Sequence, residues 1–74
     1  MKKAMVFGAG KSGLRAKKIL EKNRYEVILV DDSIGMKSQE AIGLLDDIEL
    51  FVKSPGIPYV DLVKRAIEKK IPVV

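Results

Sequence analysis

Seventy-four residues, 47% hydrophobic and 32% charged, suffice for one small folded domain and lie outside the low-hydrophobicity, high-charge range in which chains stay disordered. With no cysteine and no histidine, disulfides, the usual zinc ligand sets, thiol catalysis and histidine acid–base chemistry are excluded. The net charge of +4 comes from scattered lysines and arginines among ten acidic residues, a pattern that suits a small anionic ligand better than a nucleic acid.

Taken in chain order, Lys3 to Phe7 is short and apolar and stops at Gly8, as a buried parallel strand does. From Ser12 to about Lys22, Leu14, Ala16, Ile19 and Leu20 fall near one face, which predicts an amphipathic helix, closed by Asn23 in a left-handed conformation. Glu26 to Val30 is β-branched and apolar and ends at Asp31-Asp32-Ser33, completing a βαβ unit. Ser38 is placed to cap a short helix through Leu45, weakened by Gly43, and Ile48 to Lys53 reads as a third strand. After the turn Ser54-Pro55-Gly56-Ile57-Pro58, the stripe Val60, Leu62, Val63, Ala66 and Ile67 predicts a second amphipathic helix, and Ile71 to Val74 a fourth strand. Alternation at this interval requires crossovers, so the expected fold is α/β: a Rossmann-like open parallel sheet of about four strands with helices on both faces, residues 1–74 forming a single domain. No apolar run approaches the ~18 residues of a membrane span, and no signal-peptide pattern opens the chain; the expectation is a cytoplasmic protein without membrane or nucleic-acid partners. At this length, a piece of something longer is expected.

Gly8-Ala9-Gly10-Lys11-Ser12-Gly13 is a G-x-G-x-x-G between a strand and a helix, with an acidic pair ending the next strand. Gly8 permits the tight turn, Gly10 leaves room for a phosphate to approach the backbone, and Gly13 lets the helix sit close to the strand. The first N–H groups of a helix are unpaired and lie at its positive end, so a diphosphate satisfies them; Ser12 adds a hydroxyl or caps the helix. Gly10-Lys11-Ser12 also matches the end of a Walker A loop, but the glycine that motif requires falls on Met5, inside the first strand, which argues against ATP hydrolysis. Asp31, 18 residues beyond Gly13, stands where dinucleotide-binding folds place the acid that meets a ribose hydroxyl, whereas Asp32 and Ser33 read equally as the start of a solvated loop. Ser54 to Pro58 follows the third strand and so emerges at the same sheet edge. Its two prolines and glycine give the turn a defined shape, expected to present the Ser54 hydroxyl to the crevice.

The glycine loop with its embedded Ser-Gly, the Asp closing the second strand, and Ser-Pro-Gly-Ile-Pro followed by a helix and Ile-Pro-Val together resemble the N-terminal domain of the Mur ligases. Ser-Pro-Gly-Ile looks most like the D-glutamate-adding branch, and the resemblance covers essentially the whole chain. It implies a domain that holds the UDP part of UDP-N-acetylmuramoyl-L-alanine for a peptidoglycan-building ligase. Gly10, Lys11, Ser12 and Gly13 would then lie along the diphosphate, Asp31 and Asp32 flank the uridine, and Ser54, Pro55 and Gly56 close over it. The resemblance further implies no catalytic residue, cofactor or metal in this domain. ATP and magnesium would belong to a central domain and the amino acid to a C-terminal one, neither present in these residues, so the fragment alone would be inactive. The stretch from Asp31 to Ser54 is short for the family, Lys11 stands where an apolar residue is common, and the Gly-Glu that often follows the fourth strand is missing. An NAD(P)- or FAD-binding Rossmann domain also fits the glycine loop and Asp31, and only the Ser-Pro-Gly turn separates the two readings. An interaction domain with a vestigial pocket, predicting no nucleotide binding, is the third.

Overall fold

The computed structural model describes residues 2–33, 36–55, 57 and 60–74. Strands β1 (Lys2–Phe7), β2 (Tyr25–Val30) and β3 (Ile48–Lys53) alternate with helices α1 (Lys11–Lys22), α2 (Ser38–Ile42) and α3 (Asp61–Glu68), and a 3-10 turn at Leu45–Asp47 leads into β3. All pairings are parallel, in the order β2-β1-β3. The first of the three strands thus lies at the centre of the sheet, with β2 added on one side and β3 reached by crossing to the other. That reversal makes the carboxyl end of β1 a topological switch point, where open α/β sheets form their crevice.

The strand period of two sorts the apolar residues onto two faces. Met5, Phe7, Val30, Ile48 and Phe51 face α2 and α3 and build the main core with Ala41, Leu45, Leu62, Val63 and Ala66. Phe7 and Phe51 meet edge to face there, with ring centroids 6.4 Å apart and planes at 87°. On the opposite face Ala4, Val6 and Leu20 form a thinner core under α1, extended by Ala16, Tyr25, Val27, Leu29, Leu50 and Val52. Helices therefore lie on both faces, as expected. Coverage is uneven: Leu14 and Ile19 on α1 stay 46% and 56% exposed.

The described sheet has three strands, not four. Ile71 to Val74 makes a single parallel bridge, Val73 to Phe51, supported by Phe51 N–H to Pro72 O (2.9 Å), Val74 N–H to Phe51 O (2.8 Å) and Lys53 N–H to Val74 O (2.9 Å). Pro72 has no N–H to donate, so the segment lies alongside β3 with a broken ladder. Helix ends differ in detail as well. The left-handed residue after α1 is Arg24 (φ 67°), because Asn23 turns its side-chain amide onto Ile19 O (2.8 Å) and keeps a right-handed backbone (φ −94°). α2 stops at Ile42 and Gly43 follows as its C-cap. Its N-cap is Lys37, with Ser38 already in the first turn.

Candidate functional site at the carboxyl edge of the sheet

Gly8 leaves β1 with φ +114°, a conformation L side chains rarely adopt, and its N–H still reaches across to Val30 O at 2.8 Å. The chain then turns into α1, whose N-cap is Gly10 with no side-chain capping bond. Among the described residues, the first-turn N–H groups of Lys11, Ser12 and Gly13 thus have no side-chain acceptor. Ser12, at the second helical position and exposed, does not cap the helix. A side-chain carbon at Gly13 would drive into the Gly8 carbonyl oxygen, so this glycine is what brings α1 against the end of β1. At Gly10 an added carbon would meet nothing within 4 Å. No neighbour in the fold demands a glycine there, and the space in front of it is open to a ligand.

Asp31 follows β2 and is only partly exposed. Its Oδ2 accepts the Ala9 N–H and its Oδ1 the Ser33 N–H, both at 2.8 Å. The acid picked out for a ribose hydroxyl is therefore already engaged in holding the glycine loop and its own turn. Asp32 is exposed, and its Oδ1 accepts the Ser38 N–H at 2.8 Å, serving the first turn of α2. By analogy with capping side chains, Asp32→Ala is expected to lower stability by about 0.5–1 kcal/mol, checked by urea denaturation.

Ser54 is buried (9% exposed), its N–H donating to Phe7 O at 3.0 Å. Its hydroxyl is turned inward and donates to Gly8 O at 3.5 Å, a long contact, rather than facing the crevice. Pro55 sits exposed in the turn, which is closed by Ile57 N–H to Ser54 O at 3.2 Å; Gly56 lies outside the described residues. Lys53 is a member of this edge that the sequence reading passed over. Its Nζ donates to Ile57 O (2.6 Å) and Ser54 O (3.4 Å), bracing the turn from within. The available signal was a lysine ending an apolar strand directly before Ser-Pro.

Between the Asp31–Ser33 segment on one side and Ile57 and Val60 on the other opens a cleft of about 290 Å³, lined also by Phe7. Its volume is at the lower end of ligand pockets, the size for a base rather than for a whole nucleotide sugar. Gly10, Lys11, Ser12, Gly13, Ser54 and Pro55 lie outside its lining. Lys11 instead shares a shallow depression with Leu14, Arg15 and Lys18 on the outer side of α1. A wider, polar depression of about 670 Å³ lies at the opposite edge, between Lys2, Lys3, Asp46, Asp47, Ile48 and Glu49, away from the glycine loop. Met5, the position a Walker A loop would need as glycine, is fully buried within β1.

An open parallel sheet whose central strand ends in a glycine turn opening a helix defines a Rossmann-like α/β domain. Comparison with known proteins narrows this to the Mur ligase family, to which the chain belongs as a counterpart of the N-terminal part. A "UDP-N-acetylmuramoylalanine--D-glutamate ligase" of Fusobacterium nucleatum is 51% identical over 73 residues, 99% of this chain and 17% of that protein. Ligases of the same name from Streptococcus sanguinis and Geobacillus kaustophilus are 38% and 34% identical, each over 99% of this chain and 20% of their own length. The chain thus spans about a fifth of the curated relatives it matches. The fusobacterial alignment runs over 73 residues and the streptococcal one over 92, so the former matches this chain with no net insertion. No family model and no solved structure matches the chain.

Proposed function

We propose that this chain is the module that holds the UDP part of UDP-N-acetylmuramoyl-L-alanine for an ATP-dependent ligase adding D-glutamate during peptidoglycan synthesis. The observation that carries the reading is the presence, at one sheet edge, of a base-sized cleft and of a helix start whose N–H groups lack side-chain acceptors among the described residues. A diphosphate suits the first turn, at Gly10, Lys11, Ser12 and Gly13, through main-chain N–H groups rather than through the Lys11 side chain. The uracil and ribose belong between Asp31, Asp32 and Ser33 on one side and the turn bearing Ser54, Pro55 and Gly56 on the other, over the edge of Phe7. The apolar Ile57 and Val60 cover a flat ring, and the Asp31–Ser33 segment supplies polar groups for its rim. The names of the relatives agree with this reading.

On this reading the domain contributes binding and no chemistry. ATP, magnesium and the incoming amino acid fall to parts of the longer ligases beyond these residues, and the chain by itself is inactive. The setting is cytoplasmic; no helix among the described residues is long and apolar enough to cross a membrane.

The test is an amide-resolved NMR titration with UDP-N-acetylmuramoyl-L-alanine, with NAD run in parallel at equal concentration. Shifts at Gly10 to Gly13, Asp31, Asp32, Ser54 and Gly56 with the UDP ligand alone are expected. The same shifts with NAD alone would replace this reading with a dinucleotide-binding one. Gly10→Val should weaken the UDP ligand about 10- to 100-fold, because its side chain enters the space a phosphate needs while meeting no protein atom at its first carbon. In a full-length ligase the loss should fall on the KM for the nucleotide substrate and not on that for ATP.

A further inference from the structure

Backbone pairing holds β1 on both sides to its end, and side chains then carry it one rung further. On the β2 side Gly8 N–H donates to Val30 O at 2.8 Å, and the next donor along, Ala9 N–H, meets Asp31 Oδ2 at 2.8 Å. On the β3 side Ser54 N–H donates to Phe7 O at 3.0 Å, and the next acceptor, Gly8 O, is met by Ser54 Oγ at 3.5 Å. The Gly8 carbonyl and the Ala9 N–H are the two ends of a single planar peptide group. One peptide is therefore gripped from opposite sides by side chains of two different strand ends.

This peptide is the one in the loop that most needs a grip. Glycine populates positive and negative φ about equally, so the group joining Gly8 to Ala9 is free to rotate unless something else fixes it. Both jaws are themselves fixed: Asp31 Oδ1 is held by Ser33 N–H, and Ser54 is buried, with its side chain filling the space in front of both Gly8 and Gly13. A carbon added at Gly8 would lie 2.7 Å from Ser54 Oγ, and one added at Gly13 would lie 3.2 Å from it.

We propose that Asp31 and Ser54 are positioning residues that lock the Gly8–Ala9 peptide plane and so aim the first-turn N–H groups of α1 at the ligand's anionic group. This rests on the diphosphate reading above and deepens it. The Asp31 carboxylate acts on the diphosphate through the glycine loop, and the Ser54 hydroxyl acts from behind the loop.

Two measurements on the 74-residue chain test it. In the ligand-free protein, amide hydrogen exchange at Ala9 is compared with that at Met5 and Phe51, which normalises for any general loss of stability. Asp31→Ala should raise Ala9 exchange about tenfold relative to those core amides, as loss of a charge-assisted hydrogen bond implies, with Asp31→Asn and Ser54→Ala giving smaller rises. Unchanged Ala9 exchange in Asp31→Ala and Ser54→Ala overturns the lock. Inorganic pyrophosphate and uridine then serve as separate probes. The lock requires Asp31→Asn and Ser54→Ala each to lose about tenfold in pyrophosphate affinity, and unchanged pyrophosphate affinity in both variants overturns the aiming role. Loss confined to uridine overturns it in favour of direct contact. If the wild-type chain binds neither probe, the diphosphate reading fails and with it the aiming role. The exchange data still decide whether the peptide is locked.

Discussion

Gly13→Ala is expected to destabilise the chain by about 3 kcal/mol or more, while Gly10→Ala in the same loop leaves stability within about 0.5 kcal/mol of the parent. The added methyl at Gly13 has nowhere to go, because it runs into the Gly8 carbonyl oxygen, a main-chain atom, and lies close to the buried Ser54 hydroxyl. Relief requires α1 to lift from β1, uncovering Ala4, Val6 and Leu20, the buried members of the thinner core. Overpacking in rigid surroundings costs about 1–3 kcal/mol and sometimes more, and lifting the helix adds lost burial. A domain of this size has roughly 4–11 kcal/mol in total. Gly10 adopts an ordinary negative φ (−75°) and faces open space, so its methyl costs the fold nothing comparable. Circular dichroism with urea titration separates the two. A cooperative transition for Gly13→Ala near that of the parent would show that α1 is not seated as described.

The second large effect is expected at Phe51. It is fully buried in the central layer, stacks edge-on to Phe7 and stands between β1 and the 72–74 segment. Phe51→Ala should cost about 3–5 kcal/mol, a large share of what such a domain has, whereas Phe51→Leu should cost about 1–1.5 kcal/mol and fold normally. The loss also reaches the candidate site, because Phe7 forms a wall of the 290 Å³ cleft and leans on Phe51. Thermal melting monitored by near-ultraviolet circular dichroism is the direct measurement. A melting temperature for Phe51→Ala within a few degrees of the parent would contradict the packing.

The strands and the two longer helices were readable because burial imposes a period on the sequence. Met5 and Phe7 alternate with Ala4 and Val6, and Leu62, Val63 and Ala66 fall on one side of α3, where both patterns coincide with the observed cores. The convergence of the glycine loop, Asp31 and the Ser-Pro-Gly turn followed in turn from parallel topology, since every strand ends on the same edge. What stayed hidden were choices between equivalent hydrogen-bonding partners. Ser12 and Gly10 both qualify as N-caps, and Asn23 and Arg24 both tolerate a left-handed turn; neighbours distant in sequence or side-chain bonds decided each case. Asp31 was legible as a carboxylate at the right place, but whether it faces a ribose or an Ala9 N–H depends on a loop 22 residues away. Lys53 was missed for the same reason, its partners being two carbonyls of a turn that is shaped only once the chain has folded.

The strand order has a consequence for how such a chain is made. Of the three strands, Lys2–Phe7 leaves the ribosome first, becomes the central one and pairs with Ile48–Lys53 on one side and Tyr25–Val30 on the other. Until the third strand has emerged, β1 has a bare edge and one half of Phe7's aromatic pair is missing. Every stabilising ladder spans a crossover, so loop-closure entropy must be met before any of them forms. Synthesis therefore yields no stable intermediate shorter than about the full domain, and the nascent apolar segment 4–7 stays exposed, a natural binding stretch for a chaperone, until the last third of these residues is out.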